Sequence, residues 1–216
     1  MTPLSILIAD DHAVVRAGLR TLLESRSHWQ VCAEAADGRD AVEKAAKHRP
    51  HIAILDIGMP LLNGVEAARQ IRKASPATEI LILTMHESDD LVQQVVEAGA
   101  RGYILKDEAD RVLLDAVQAL SQHKPFFSAR VTEAAVTAII ADASDSAKSS
   151  RSRLTPRERE ILQLLAEGKS NKEVANLLNI SVNTAEAHRA NIMLKLDFHS
   201  LAELVVYAIR NNIIQT

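Results

Sequence analysis

The 216-residue chain has one cysteine, Cys32, so an intrachain disulfide is excluded. A lone small thiol in an apolar strand context reads as a buried hydrophobe. No apolar run approaches the roughly 20 residues that a membrane-spanning helix requires. No signal peptide opens the sequence, because Met1-Thr2-Pro3 leads directly into a short strand and an acidic pair. A cytoplasmic protein is the expectation. Net charge is also scarce, at −3, which excludes a chain that gathers nucleic acid by bulk attraction. His12 and His86 have no Cys/His companions at zinc-ligand spacing and read as neighbours of a site or as surface residues.

What remains is ordinary globular composition, 47% hydrophobic and 25% charged, in a length that suits one large or two small domains. The charge is unevenly spread. Residues 1–141 hold 15 basic and 19 acidic side chains, whereas residues 151–216 hold 9 and 7. That mild reversal is a weak pointer to a nucleic-acid partner for the tail.

The informative stretch is Ile52-Ala53-Ile54-Leu55-Asp56-Ile57-Gly58-Met59-Pro60. A short apolar run ending in a carboxylate and then in glycine and proline is typical of a strand buried on both faces. Similar runs end at Asp10-Asp11, at Thr84 and at Lys106, and a further strand spans Trp29–Ala36. Strand and helix patterns alternate five times, which predicts a five-stranded parallel sheet with helices on both faces, a doubly wound α/β domain. Right-handed crossovers bring every strand's carboxyl end to one edge. Asp10, Asp11, Asp56, Thr84 and Lys106 should meet there.

Three converging carboxylates repel one another unless a cation sits among them, and hard oxygen donors suit Mg²⁺. Lys106 adds a compact positive charge and Thr84 a hydroxyl donor. Together they describe a site that receives a phosphoryl group on a carboxylate, where catalysis is positioning and charge neutralisation.

These residues resemble the receiver domain of two-component response regulators over residues 5–122. That pattern has an acidic pair (Asp10-Asp11), an Asp with x-x-Met-Pro (Asp56, Met59-Pro60), a Thr (Thr84) and a Lys (Lys106), with Tyr103 in the place of its aromatic switch residue. The resemblance implies that Asp56 takes phosphate from a sensor histidine kinase. It implies that Asp10, Asp11 and Asp56 hold Mg²⁺ with the Gly58 backbone carbonyl. On phosphorylation Thr84 would turn to the phosphate and Tyr103 would move inward.

Beyond Lys124-Pro125-Phe126-Phe127 the alternation stops. A helix is expected over about 130–141, then a serine-rich linker to about 152, so that 1–122, 123–153 and 154–216 divide the chain into receiver, connection and output. Thr155-Pro156-Arg157-Glu158 and Ser170-Asn171-Lys172-Glu173 are helix-start boxes, Ser181 opens a third helix and Ser200 a fourth. Four short helices with a tight turn at Asn179-Ile180 suggest an all-α helix-turn-helix. On the third helix Ala185, His188, Ile192 and Leu196 form the inward stripe. Asn183, Thr184, Glu186, Ala187, Arg189, Ala190 and Asn191 face away and can enter a major groove. Lys172, Arg189 and Lys195 are candidates for phosphate contacts.

This half resembles the LuxR-type DNA-binding domain through Leu154-Thr155-x-Arg157-Glu158, Gly168-x-Ser170-Asn171-Lys172-Glu173-Val174-Ala175, Ile180-Ser181-x-x-Thr184 and His188-x-x-x-Ile192-x-x-Lys195-Leu196. With the receiver in front, the chain is similar to the NarL/FixJ group. The resemblance implies a transcription regulator whose third helix reads promoter DNA. It also implies a homodimer contact on the fourth helix, which here would offer Leu201, Leu204, Val205 and Ala208. Ala185-Glu186 departs from the frequent Val-Lys and bears on operator sequence. Two other classes share parts of this pattern. An aspartyl phosphatase usually has a second Asp where Gly58 stands, and an interaction switch would not bind DNA.

Overall fold

The computed structural model describes residues 3–85, 89–128 and 154–214, with the backbone alone at Asp89 and Asp90. The helix expected over 130–141, the serine-rich linker and His86 lie outside these residues.

The first half is a parallel sheet in the order β2-β1-β3-β4-β5-β6. Its strands are β1 Leu4–Ala9, β2 Trp29–Ala35, β3 Ile52–Asp56, β4 Glu79–Thr84, β5 Gly102–Leu105 and β6 Phe126–Phe127. The helices are α1 Ala13–Glu24, α2 Gly38–His48, α3 Gly64–Ala74, α4 Asp89–Glu97 and α5 Ala109–Ser121. Every residue of β3, β4 and β5 is buried, as their uninterrupted apolar runs require. On one face Leu7, Leu55, Ile82 and Tyr103 pack with Ala67 and Ile71 of α3 and Val95 of α4. On the other, Ile6, Ile54 and Leu83 pack with Leu23 of α1 and Val117 of α5.

The sixth strand corrects the five-stranded expectation. Phe126 pairs with Gly102 and Phe127 with Tyr103, so the sheet continues into the stretch expected as connection. Two residues are too few to show a period, and the ladder is supplied by the neighbour. The strand order reverses between β1 and β3, which places the ends of both strands at the switch point where open α/β sheets hold ligands.

The output half has four helices, α6 Pro156–Ala166, α7 Asn171–Leu178, α8 Val182–Leu196 and α9 Leu201–Arg210. Thr155, Ser170 and Ser200 each open a helix with a reciprocal capping box, to Glu158, Glu173 and Glu203. Ser181 caps α8 by accepting from the Thr184 N–H. Asn179, with φ 52, makes the tight turn between α7 and α8 in the left-handed region that asparagine tolerates. The core gathers Ile161, Leu164, Leu165, Val174, Leu178 and Ile192. Leu204 and Ala208 belong to this core and are fully buried, which corrects their assignment to a dimer contact: an apolar stripe was identified, but its own domain covers it.

The two halves touch. Leu61, in the β3–α3 loop, packs against the output core. Arg159 Nε lies 2.6 Å from Glu66 Oε1, and Arg39 Nη2 2.6 Å from Glu160 Oε1. Among the described residues no helix is long and apolar enough to cross a membrane.

Candidate functional site

Because β1, β3, β4 and β5 all run the same way, their ends deliver Asp10, Asp56, Thr84 and Lys106 to one edge. Asp10 and Asp56 are 1% exposed and Thr84 is fully buried. Lys106 opens a short 3₁₀ turn after β5 and reaches back between the acids. Its Nζ is 2.8 Å from Asp10 Oδ2 and 3.1 Å from Asp56 Oδ1. Both Asp56 oxygens are buried without a hydrogen-bond partner among the described residues, and Oδ2 also lacks the ion pair that Oδ1 makes with Lys106. Asp11 sits further out, its side chain 33% exposed. Gly58 is half-buried on the same rim.

The electrostatics follow from burial and crowding. Burial pushes the Asp56 carboxyl above the ordinary aspartate range; Lys106 pulls it down, and Asp10 pushes it up again. Burial alone would lower the Lys106 ammonium, but the two carboxylates outweigh it and hold it above its ordinary value.

Two residues that the sequence left in the background shape this edge. His12 donates its N–H to Asp10 Oδ1 at 2.8 Å, and its Nδ1 lies 3.2 Å from Asp10 Oδ1 and 2.8 Å from Asp11 Oδ1. Ligand atoms of Asp10, Asp11 and His12 all lie within 4.8 Å of one another. Arg16 Nη1 donates to the Asp10 carbonyl at 2.7 Å, fixing the end of β1 from α1. Tyr103 is fully buried, in the cluster that includes Leu55 and Leu91.

Two glycines let the β3–α3 loop pack closely. A methyl at Gly64 would overlap the Asp56 carbonyl oxygen, and one at Gly38 would overlap the Leu62 carbonyl oxygen. The Gly64 N–H donates to the Ile57 carbonyl at 2.9 Å and closes the loop.

On α8, Ala185 and Ile192 face inward. Asn183, Thr184, Glu186, Ala187 and Ala190 are exposed, Arg189 is half-buried, and Lys172 on α7 is exposed. Lys195 departs from its expected role. Its Nζ is 2.8 Å from the carboxylate of Glu158, the capping residue of α6. The helical period showed which face Lys195 occupies but not that a buried acid from another helix waits there. On α9, Leu201 is 43% exposed and Val205 half-buried, while Val206 and Ile209, which the sequence reading did not single out, are 46% and 38% exposed.

Comparison with known proteins agrees with this arrangement. Residues 6–118 match the response regulator receiver domain, and residues 152–208 match the luxR family of bacterial regulatory proteins. The oxygen regulatory protein NreC of Staphylococcus epidermidis is 40% identical over 217 residues, spanning 98% of this chain and 100% of that protein. A two-component response regulator of the LuxR family from Aurantimonas sp. SI85-9A1 is 33% identical with a TM-score of 0.62, over 64% of this chain and 99% of its own. RcsB from Salmonella enterica serovar Typhimurium, solved bound to the promoter rprA in the presence of the phosphomimetic BeF3−, is 27% identical with a TM-score of 0.64, over 95% of this chain and 98% of its own. The chain therefore belongs to the two-component response regulators, a receiver domain followed by a regulatory domain of the luxR family.

Proposed function

We propose that Asp56 is the phosphoacceptor of a transcriptional switch. The observation that carries this is the buried Asp56 carboxylate, with one oxygen held by Lys106 and the other without a partner, beside Asp10. In the reaction Asp56 Oδ2 bonds to phosphorus as the bond from phosphorus to the kinase's histidine nitrogen breaks, giving an acyl phosphate. Lys106 neutralises charge on the transferred group, and the Thr84 hydroxyl donates to it. Asp10, Asp11, Asp56 and the Gly58 carbonyl would hold Mg²⁺. The fit rests on hard oxygen donors and on the partnerless buried oxygen. When bound, the ion supplies the positive charge that lets three carboxylates and a phosphoryl group share one edge. The chemistry is confined to phosphorylation and dephosphorylation of the chain itself.

In this reading the receiver extends through Phe127, residues after it to 153 connect, and 154–216 bind DNA. The exposed face of α8 enters the major groove of promoter DNA, with Asn183, Thr184, Glu186, Ala187, Arg189 and Ala190 at the bases or backbone and Lys172 at phosphate. Leu201, Val205, Val206 and Ile209 of α9 offer the homodimer contact. The setting is cytoplasmic, with a sensor histidine kinase as donor.

The test is twofold. Asp56→Asn should take up no phosphoryl group from a small phosphodonor with Mg²⁺; equal labelling of the variant would place the acceptor elsewhere. Footprinting on promoter DNA should strengthen with phosphodonor and weaken with salt; a chain that protects no promoter DNA in either state would instead be an interaction switch.

A further inference from the structure

A loop that carries chemistry is ordinarily held by its own domain. Here the backbone just past Asp56 is held from the other one. Gln163 of α6 is completely buried. Its Nε2 donates to the Met59 carbonyl at 3.0 Å, and its Oε1 accepts from the Asn63 N–H at 2.7 Å. Glu167 accepts from the Leu61 N–H, 3.0 and 3.3 Å from its two oxygens. Gln163 Nε2 also lies 2.8 Å from Glu167 Oε1, so the two side chains act as one unit. Between them Leu61 adopts φ 64, a left-handed conformation that a leucine keeps only when its surroundings hold it there. Its side chain seats against the output core, which supplies that hold.

We infer that Gln163, with Glu167, is a positioning residue for phosphoryl uptake: the output domain grips the phosphoacceptor loop in its resting shape and slows uptake at Asp56. The inference rests on the reading of Asp56 given above. Its sign follows from what must move. In the resting arrangement Lys106 draws Asp10 and Asp56 together. On this inference the chain around Gly58 yields as a phosphoryl group and a cation enter, and Met59, Leu61 and Asn63 are tethered immediately downstream. Where the grip disfavours the phosphorylated state at equilibrium, and not only the rate of reaching it, phosphorylation loosens the grip by the same free energy. Among the described residues the exposed face of α8 takes no part in this contact, so control would act through the grip on the loop.

The test uses the full chain in three forms, wild type, Gln163→Ala and Glu167→Ala. Hydrogen exchange at the Leu61 and Asn63 amides reads the grip without any phosphodonor, and the rate of uptake from acetyl phosphate with Mg²⁺ reads its consequence. Expected are slow exchange of both amides in the wild type, fast exchange of Asn63 in Gln163→Ala and of Leu61 in Glu167→Ala. Each variant should also take up phosphate about fivefold faster, the factor that one hydrogen bond of ordinary net strength represents. Glu167 lies at the partly exposed end of α6, so its variant keeps the domain folded even if the buried Gln163→Ala does not. A merely structural role for Gln163 would lower the melting point of the output half and leave the uptake rate of the receiver untouched. Uptake that is unchanged or slower in both variants, or free exchange of both amides in the wild type, overturns the inference. A wild type that takes up no phosphate, with its amides still protected, instead overturns the reading of Asp56.

Discussion

Lys195 offers the sharpest contest between a pattern and a structure. A lysine in the last turn of a DNA-reading helix suggests a phosphate contact, whereas here its ammonium is 2.8 Å from Glu158. Lys195→Met keeps the stem and removes the charge. A shielded charge-assisted hydrogen bond is worth about 1.5–3 kcal/mol. Lys195 is 39% exposed, so solvent screening reduces the loss to about 1 kcal/mol. Glu158 retains its bonds from the Thr155 N–H and hydroxyl at 2.8 and 3.0 Å, so no bare buried charge is left. In a domain of roughly 60 residues that loss lowers the melting point by about 4–8 °C. The pH dependence follows from Glu158. Burial pushes its carboxyl up, but Lys195 and Thr155 more than reverse this and hold it below the ordinary glutamate range. A depressed acid contributes stability above its unfolded value of about 4.3, and that contribution is lost as pH falls through the folded value. The gap between wild type and variant should be open at pH 7 and close in acid. Calorimetry checks the stability, and promoter binding at several salt concentrations checks the role. A phosphate contact would change the salt slope by about 0.9, and an ion pair within the protein would leave it unchanged. A reduced slope with an unchanged melting point would refute the reasoning.

Two further perturbations address the receiver edge. Asp56→Asn should melt higher than the wild type at pH 7, because burial raises the Asp56 carboxyl and Lys106 keeps Asp10 as a partner. A raised acid favours the folded state below its unfolded value of about 3.9 and loses that advantage as pH rises through its folded value, so the gain should vanish in acid; a lower melting point at pH 7 would contradict it. Gly64→Ala sets a helix gain of about 1 kcal/mol against overpacking of about 1–3 kcal/mol at the Asp56 carbonyl. Urea unfolding should show a net loss and phosphoryl uptake should slow.

The edge that gathers Asp10, Asp56, Thr84 and Lys106 was legible because parallel strands share a direction. Once the runs ending at Asp10, Asp56, Thr84 and Lys106 are taken as strands, the handedness of crossovers does the rest. What escaped was whatever depends on a partner distant in sequence. Phe126-Phe127 is a strand only because β5 offers an unpaired edge. Leu204 and Ala208 form an apolar stripe, and periodicity shows that such a stripe is covered without showing by what. Gln163 carried a faint signal, a polar residue between Leu162 and Leu164 in a run that is buried throughout, and so did Leu61-Leu62, an apolar pair in a loop. Each pointed to a contact whose other half lay 100 to 106 residues away.

The three capping boxes of the output half bear on the order in which the molecule assembles. Each pairs a helix's entry residue with a glutamate three positions on, so the starts of α6, α7 and α9 are written into tetrapeptides and need no distant contact. The receiver is the opposite case, since its β1 must find β3 across an intervening strand and two helices before either ladder forms. Low contact order favours rapid folding, and long-range parallel pairing slows it. During synthesis the receiver emerges first and folds slowly, while the output half emerges last and folds fast. Synthesis of the remaining residues takes seconds, so the receiver is complete first, and Leu61 meets its seat only when the fast-folding output half docks.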